Sequence, residues 1–308
     1  MCTSAKAGLA DRLTKDITAA VKPSGAKGHT SVALYDRTTD TKCAYDADRQ
    51  YDSASVVKTI VLGALLRQAQ DEHRELTPTE SAFATKMITV SDNDATTALW
   101  RRLGLPRIQA FLSLAGMKHT VPDPDGYWGL TQINASDQLT LMALLTAANS
   151  VLDDNSRAYA LDLMNRVVPD QRWGVPAGAP RGATVHVKNG WLQRTGGGWR
   201  VHSVGAFTGR GYDYGLVVLS ADHPSMDASV AVIEGIAREV HTNLTGAGAG
   251  AGGEAGAGAG AGAGAEGEAG AGTSTGSNTD PGDGRALYSQ ARLPAASDGS
   301  LVPENSGR

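Results

Sequence analysis

Residues 55–66 read Ser-Val-Val-Lys-Thr-Ile-Val-Leu-Gly-Ala-Leu-Leu. Val56, Val57, Ile60, Val61, Leu62, Leu65 and Leu66 fall on every side of a helical wheel, so this helix is expected to be buried all round at the centre of a domain. At its opening turn Ser55 and Lys58 stand at i and i+3, neighbours on one face, where a proton can pass between hydroxyl and amine. That turn also offers backbone N–H groups without helical partners, which favour negative charge developing on a substrate oxygen. Burial among apolar neighbours disfavours the ammonium form and suits Lys58 to act as a base. The pattern alone is weak evidence. Ser24-Gly25-Ala26-Lys27 has the same spacing in a glycine-rich loop after a proline, and Ser55 taken in isolation reads better as a helix N-cap.

On the N-terminal side, Leu9, Leu13, Ile17 and Val21 line one face of an opening amphipathic helix within residues 5–21. Two strands are expected next, at 29–36 and 41–45, joined by turn-forming residues Asp36 to Asp40. On the C-terminal side, helical patterns dominate to about residue 167, including 93–103, 107–114, 135–148 and 154–167, broken by the Pro/Gly-rich stretch 121–129. Three strands are expected at 184–188, 199–207 and 212–220, then a closing helix over about 226–241. This order indicates an α+β fold: an antiparallel sheet flanked by N- and C-terminal helices, with an inserted all-helical subdomain at about 59–180.

The chain carries 41% hydrophobic and 19% charged residues, as soluble globular proteins do, and has no apolar run long enough for a bilayer span. A formal charge of −4 with both signs interspersed leaves no basic stripe for nucleic acid. The domain is assigned to residues 1–243. Residues 246–272 are almost wholly alternating Gly and Ala, which cannot offset chain entropy by burial, so 244–308 is expected to be a disordered tail; a silk-like stacked sheet is the rival reading. Cys2 and Cys43 are too few for a disulfide framework, and spacing does not fix their oxidation state. No signal peptide is visible in residues 1–15. Either the chain stays in the cytoplasm, or translation starts further upstream and Cys2 resembles the lipidated first residue of a mature bacterial lipoprotein.

Ser91-Asp92-Asn93 and Lys188-Asn189-Gly190 change the weight of Ser55-Val56-Val57-Lys58. The three motifs in this order resemble those of the serine β-lactamases and penicillin-binding proteins, and over residues 5–243 the order of elements is most similar to class A β-lactamases and their relatives. The resemblance implies that Ser55 is the nucleophile and Lys58 the proton acceptor in acylation. It implies too that Ser91 relays a proton to the leaving nitrogen, and that Asn93 holds the substrate's side-chain amide. Lys188 would point into the cleft to attract a substrate carboxylate and favour deprotonated Ser91. The backbone N–H groups of Ser55 and Trp191 would form the oxyanion hole, with Gly190 beside them. Taken singly, Ser91-Asp92-Asn93 also reads as a helix cap and Lys188-Asn189-Gly190 as a strand end with a turn glycine.

Two departures stand out. Asn189 replaces the usual hydroxyl residue and offers an amide donor to the carboxylate instead. No glutamate occurs between Glu80 and Glu234, whereas class A β-lactamases use one in that interval to activate the deacylating water. The segment from Asp123 to Gln138, where that glutamate would be expected, offers Asp123, Asp125 and Asp137, with Gln132 as a water-positioning amide. Asp137 fits better as a helix first-turn carboxylate, and Tyr127 and Trp128 either line the cleft or anchor a loop. His186 shares a strand face with Lys188 and is expected to be packed or solvated rather than catalytic. No metal-ligand spacing, nucleophile elbow, P-loop or dinucleotide fingerprint is present.

The expectation is a cofactor-free, metal-free, monomeric serine hydrolase acting on a small β-lactam or peptidoglycan-like substrate, extracytoplasmic by resemblance. Rival readings are a D,D-peptidase, esterase or acyltransferase; a slowly deacylating β-lactam-binding or sensing protein; and an inactive scaffold whose tail is the working part.

Overall fold

The computed structural model describes residues 1–21, 28–194 and 198–246. The Ser24 pattern and the expected tail beyond Gly246 lie outside the described residues. Six strands form one antiparallel sheet in the order β1-β3-β2-β8-β7-β6: β1 (Cys2–Thr3), β2 (His29–Asp36), β3 (Thr41–Tyr45), β6 (Thr184–Gln193), β7 (Trp199–Gly209) and β8 (Tyr212–His223). Two short strands, β4 (Tyr51–Asp52) and β5 (Gln132–Ile133), pair separately. The terminal helices α1 (Leu9–Val21) and α7 (Met226–Thr245) pack together, and α7 also packs on β7 and β8. Leu9, Leu13 and Ile17 are fully buried, as their four-residue spacing requires.

Helix α2 (Val57–Asp71) follows a 3-10 turn, Ala54–Val56, and every residue from Val57 to Leu66 is buried. It packs against α3 (Pro78–Thr89), α4 (Asn93–Leu114) and α6 (Asp154–Asn165). The two helices expected at 93–103 and 107–114 are the two arms of α4, which bends at Gly104 (φ 69°), two residues before Pro106. Helix α5 (Ala135–Thr146) packs on β2, β7 and β8.

Helix α3 goes beyond the expected elements. Its start is a capping box: Glu80 N–H donates to Thr77 Oγ1, and Thr77 N–H donates to Glu80, with Pro78 at the first turn. Burial pushes the Glu80 carboxyl up, but hydrogen bonds from Arg74 and Thr77 and the charge of Arg102 outweigh it and bring it to about 2.

Strand β6 also runs five residues past its expected end. Lys188, Asn189 and Gly190 therefore lie mid-strand, opposite Val204, Ser203 and His202 of β7, and Gly190 is not a turn residue. Cys2 and Cys43 form a disulfide that ties β1 to β3. With its sulfur bonded to Cys43, Cys2 in this form cannot carry the thioether of a lipid anchor. No helix among the described residues is long and apolar enough to cross a membrane.

Candidate active site

Three elements bring the motif residues together: the 3-10 turn and first turn of α2, the α3–α4 junction, and mid-β6. Lys58 Nζ donates to Ser91 O at 2.6 Å, to Ser91 Oγ at 3.0 Å and to Asn93 Oδ1 at 2.8 Å. Lys188 Nζ reaches the same Ser91 Oγ at 3.0 Å and the carbonyl of Asn189 at 2.8 Å. One hydroxyl thus stands between two amines, both fully buried. Ser55 is also fully buried, and its Oγ makes no hydrogen bond among the described residues. Contacts of a nucleophile with its base are often long before substrate arrives.

Backbone geometry is unusual where the chemistry is expected. Ala54 (φ 45°), immediately before Ser55, and Ser91 (φ 58°) adopt left-handed conformations that non-glycine residues rarely keep without support. Support comes from packing and capping. Asp92 caps α4 by accepting from Ala95 N–H, which fixes Ser91 and Asn93 on either side. At β6, a Cβ added to Gly190 would stand 2.7 Å from the Ser55 nitrogen and 2.8 Å from the Val56 nitrogen. Only glycine lets the strand run this close to the Ser55 amide, with Trp191 next along it. His202, opposite Gly190, holds the carbonyl of Asp52 through Nε2 at 2.8 Å and so braces β7 to the segment leading into Ser55.

Burial dominates the electrostatics. It pushes the Lys58 ammonium well below its ordinary range, and the nearby charge of Lys188 pushes the same way, against a weaker pull from Asp92. Burial brings Lys188 down to about 7. Two amines on one hydroxyl cannot both stay charged at little cost, so they titrate as a pair.

Asn189 does not serve as expected. Its side-chain nitrogen donates to the carbonyls of Gln171 and Trp173, because strand alternation turns it to the face opposite Lys188. It cannot donate to a carboxylate in the cleft. His186 is packed, held by Leu161 O and Thr208 Oγ1.

The interval without glutamate supplies no carboxylate to Ser55. Asp137 accepts from His119 N–H and Thr120 Oγ1 in the first turn of α5. Asp123 accepts from the N–H groups of Asp125 and Tyr127 within its loop. Gln132 donates to Asp52 and to Leu130 O.

What lies beside Lys58 instead is Trp128, 1% exposed, its ring centre 5.0 Å from Nζ. Its indole N–H donates to Thr97 Oγ1, and its carbonyl accepts from Ser53 Oγ. Among the described residues no group of three or more His, Cys, Asp or Glu side chains could hold a metal ion.

An antiparallel sheet flanked by the paired terminal helices, an inserted helical subdomain, and a buried cluster of Ser55, Lys58, Ser91 and Lys188 define a β-lactamase/transpeptidase-like serine hydrolase architecture. A family model described as "Beta-lactamase enzyme family" matches residues 12–80 and 75–244, and the chain belongs to that family. Among curated proteins it is 26% identical over 221 residues, 69% of each chain, to a protein of Mycobacterium tuberculosis and Mycobacterium bovis named as a candidate lipoprotein, LppW. Among solved structures, a class A β-lactamase representative from Bacteroides cellulosilyticus superposes with TM-score 0.68 at 16% identity, covering 78% of this chain and all of that one. PBP-A superposes with TM-score 0.66 at 20% identity, covering 76% and 96%. A variant of PBP-A is described as an acyl-enzyme complex with penicillin G; it superposes with TM-score 0.65 at 21% identity, covering 77% and 97%. At these identities the solved structures speak for the fold alone.

Proposed function

We propose that Ser55 is acylated by the carbonyl of a β-lactam or a chemically related amide. The observation that carries this reading is Ser91 Oγ held 3.0 Å from both Lys58 Nζ and Lys188 Nζ, with Lys58 one helical turn after Ser55. Ser55 Oγ bonds to the carbonyl carbon as the C–N bond breaks. Its proton passes to Lys58, and the leaving nitrogen gains a proton through Ser91, which Lys188 holds polarised. The N–H groups of Ser55 and Trp191 receive the charge building on the carbonyl oxygen. Asn93, fixed by Lys58 at Oδ1, keeps its amide nitrogen for the substrate's side chain. Lys188 supplies the charge for a substrate carboxylate without help from Asn189.

Intact-mass measurement after mixing with penicillin G tests this reading. The expected result is one covalent adduct, mapped to Ser55 and absent from Ser55→Ala; an adduct that survives this substitution, or none in the parent protein, removes the reading. A second reading, transfer of the acyl group to an amine acceptor as in D,D-peptidases and acyltransferases, is favoured by the absence, among the described residues, of a carboxylate hydrogen-bonded to Lys58 Nζ or Ser55 Oγ. Product analysis with an added amine separates it from hydrolysis.

A further inference from the structure

We propose that Trp128 is a positioning residue that walls off the Lys58 side of the acyl-enzyme from water, making the Ser55 ester long-lived. This rests on the acylation reading and concerns the fate of the ester that acylation forms. Hydrolysis of that ester needs one water: its oxygen bonds to the carbonyl carbon, the bond to Ser55 Oγ breaks, and a water proton returns to Ser55. A base must hold that water within hydrogen-bond reach.

Lys58 is the base at hand, and its surroundings leave little room. Ser91 O, Ser91 Oγ and Asn93 Oδ1 take three hydrogen bonds, and the indole of Trp128 stands over the amine at 5.0 Å. An indole face accepts no ordinary hydrogen bond from a water, and the single indole N–H points to Thr97 Oγ1 at 3.2 Å. The wall is also fixed. Ser53 Oγ bonds the carbonyls of Trp128 and Gly129, and Ser53 N–H bonds Thr131 O at 2.9 Å, so the loop is stitched two residues ahead of the nucleophile. Within this segment the Asp123 and Asp137 carboxylates and the Gln132 amide nitrogen are engaged elsewhere.

The test uses the full chain with penicillin G, following the Ser55 adduct by intact mass after excess drug is removed. In the parent protein the adduct accumulates and outlasts its formation by about a hundredfold or more. Trp128→Phe keeps an apolar ring and keeps the lifetime within about threefold, whereas Trp128→Ala opens a space lined by an amine and a hydroxyl, roomy enough for water. There the lifetime falls by about tenfold or more while the acylation rate stays within about threefold. Acylation itself certifies that a variant is folded; Trp128→Gln, which leaves less space empty, replaces the alanine variant if that one fails to acylate.

An adduct that decays as fast as it forms in the parent protein overturns the inference and leaves the acylation reading standing. Equal lifetimes in the parent protein and the opened variant overturn it too. Absence of any adduct in the parent protein removes both.

Discussion

At the scale of single residues, the cluster is a hydroxyl shared by two desolvated amines, and its charge state sets its pH response. Acylation requires Lys58 without its proton and benefits from Lys188 with one. With Lys58 pushed well below 10.5 and Lys188 at about 7, the acylation rate against pH is expected to be bell-shaped, both limbs lying below the range of a free lysine. A rate still climbing at pH 10 would contradict this assignment. Removal of either amine or of the Ser91 hydroxyl is expected to slow acylation by about 10²–10⁴-fold, read by stopped-flow with a chromogenic lactam. His202 and His241 give a separate pH signature in stability. Burial lowers both to about 4, so between pH 6.5 and 4 the unfolded chain binds protons that the folded one refuses. Their contribution is complete above 6.5 and falls by about 1.4 kcal/mol per pH unit for each as the medium is acidified towards 4, measurable as a shift of urea midpoints.

Elements were legible where their pattern is local. The two N-terminal strands and the apolar helix α2 follow directly from alternation and helical spacing. Helix α3 announces itself only through Thr77-Pro78-Thr79-Glu80, a capping box that is easily passed over beside the stronger apolar patterns around it. The extent of β6 was hidden because Asn189-Gly190 has turn chemistry. The reason for glycine there is tertiary, the nearness of the Ser55 amide, which no local rule reveals. The orientation of Asn189 was available from strand alternation with Lys188, yet the motif analogy pulled it toward the cleft. Trp128 could be read only as cleft lining or loop anchor, since its place against Lys58 depends on how the 121–131 segment folds back over Ser53.

Gly190→Ala tests the strand's role. With a Cβ forced to 2.7 Å from the Ser55 nitrogen, β6 must move away from the 3-10 turn. Acylation should drop about tenfold or more, a larger relative loss than the change in melting temperature. Thr77→Ala, by contrast, should cost about 1 kcal/mol of stability through loss of the α3 cap and leave acylation untouched.

For the molecule as a whole, the described residues already contain every group assigned to chemistry. A chain stopped at Gly246 is therefore expected to acylate at the full-length rate, and a large loss would give residues beyond it a part in the reaction. The disulfide between Cys2 and Cys43, 41 residues apart, should contribute up to about 4 kcal/mol by restricting the unfolded chain, seen as a lower melting temperature after reduction. That bond has a topological consequence as well. It closes a covalent ring holding α1 and β2, and α1 is the packing partner of α7 at the other end of the domain. A protease that severs one peptide bond anywhere from Thr3 to Lys42 cannot release a fragment. The nicked protein would run as a single species on a non-reducing gel, and separate into two only once a thiol is added.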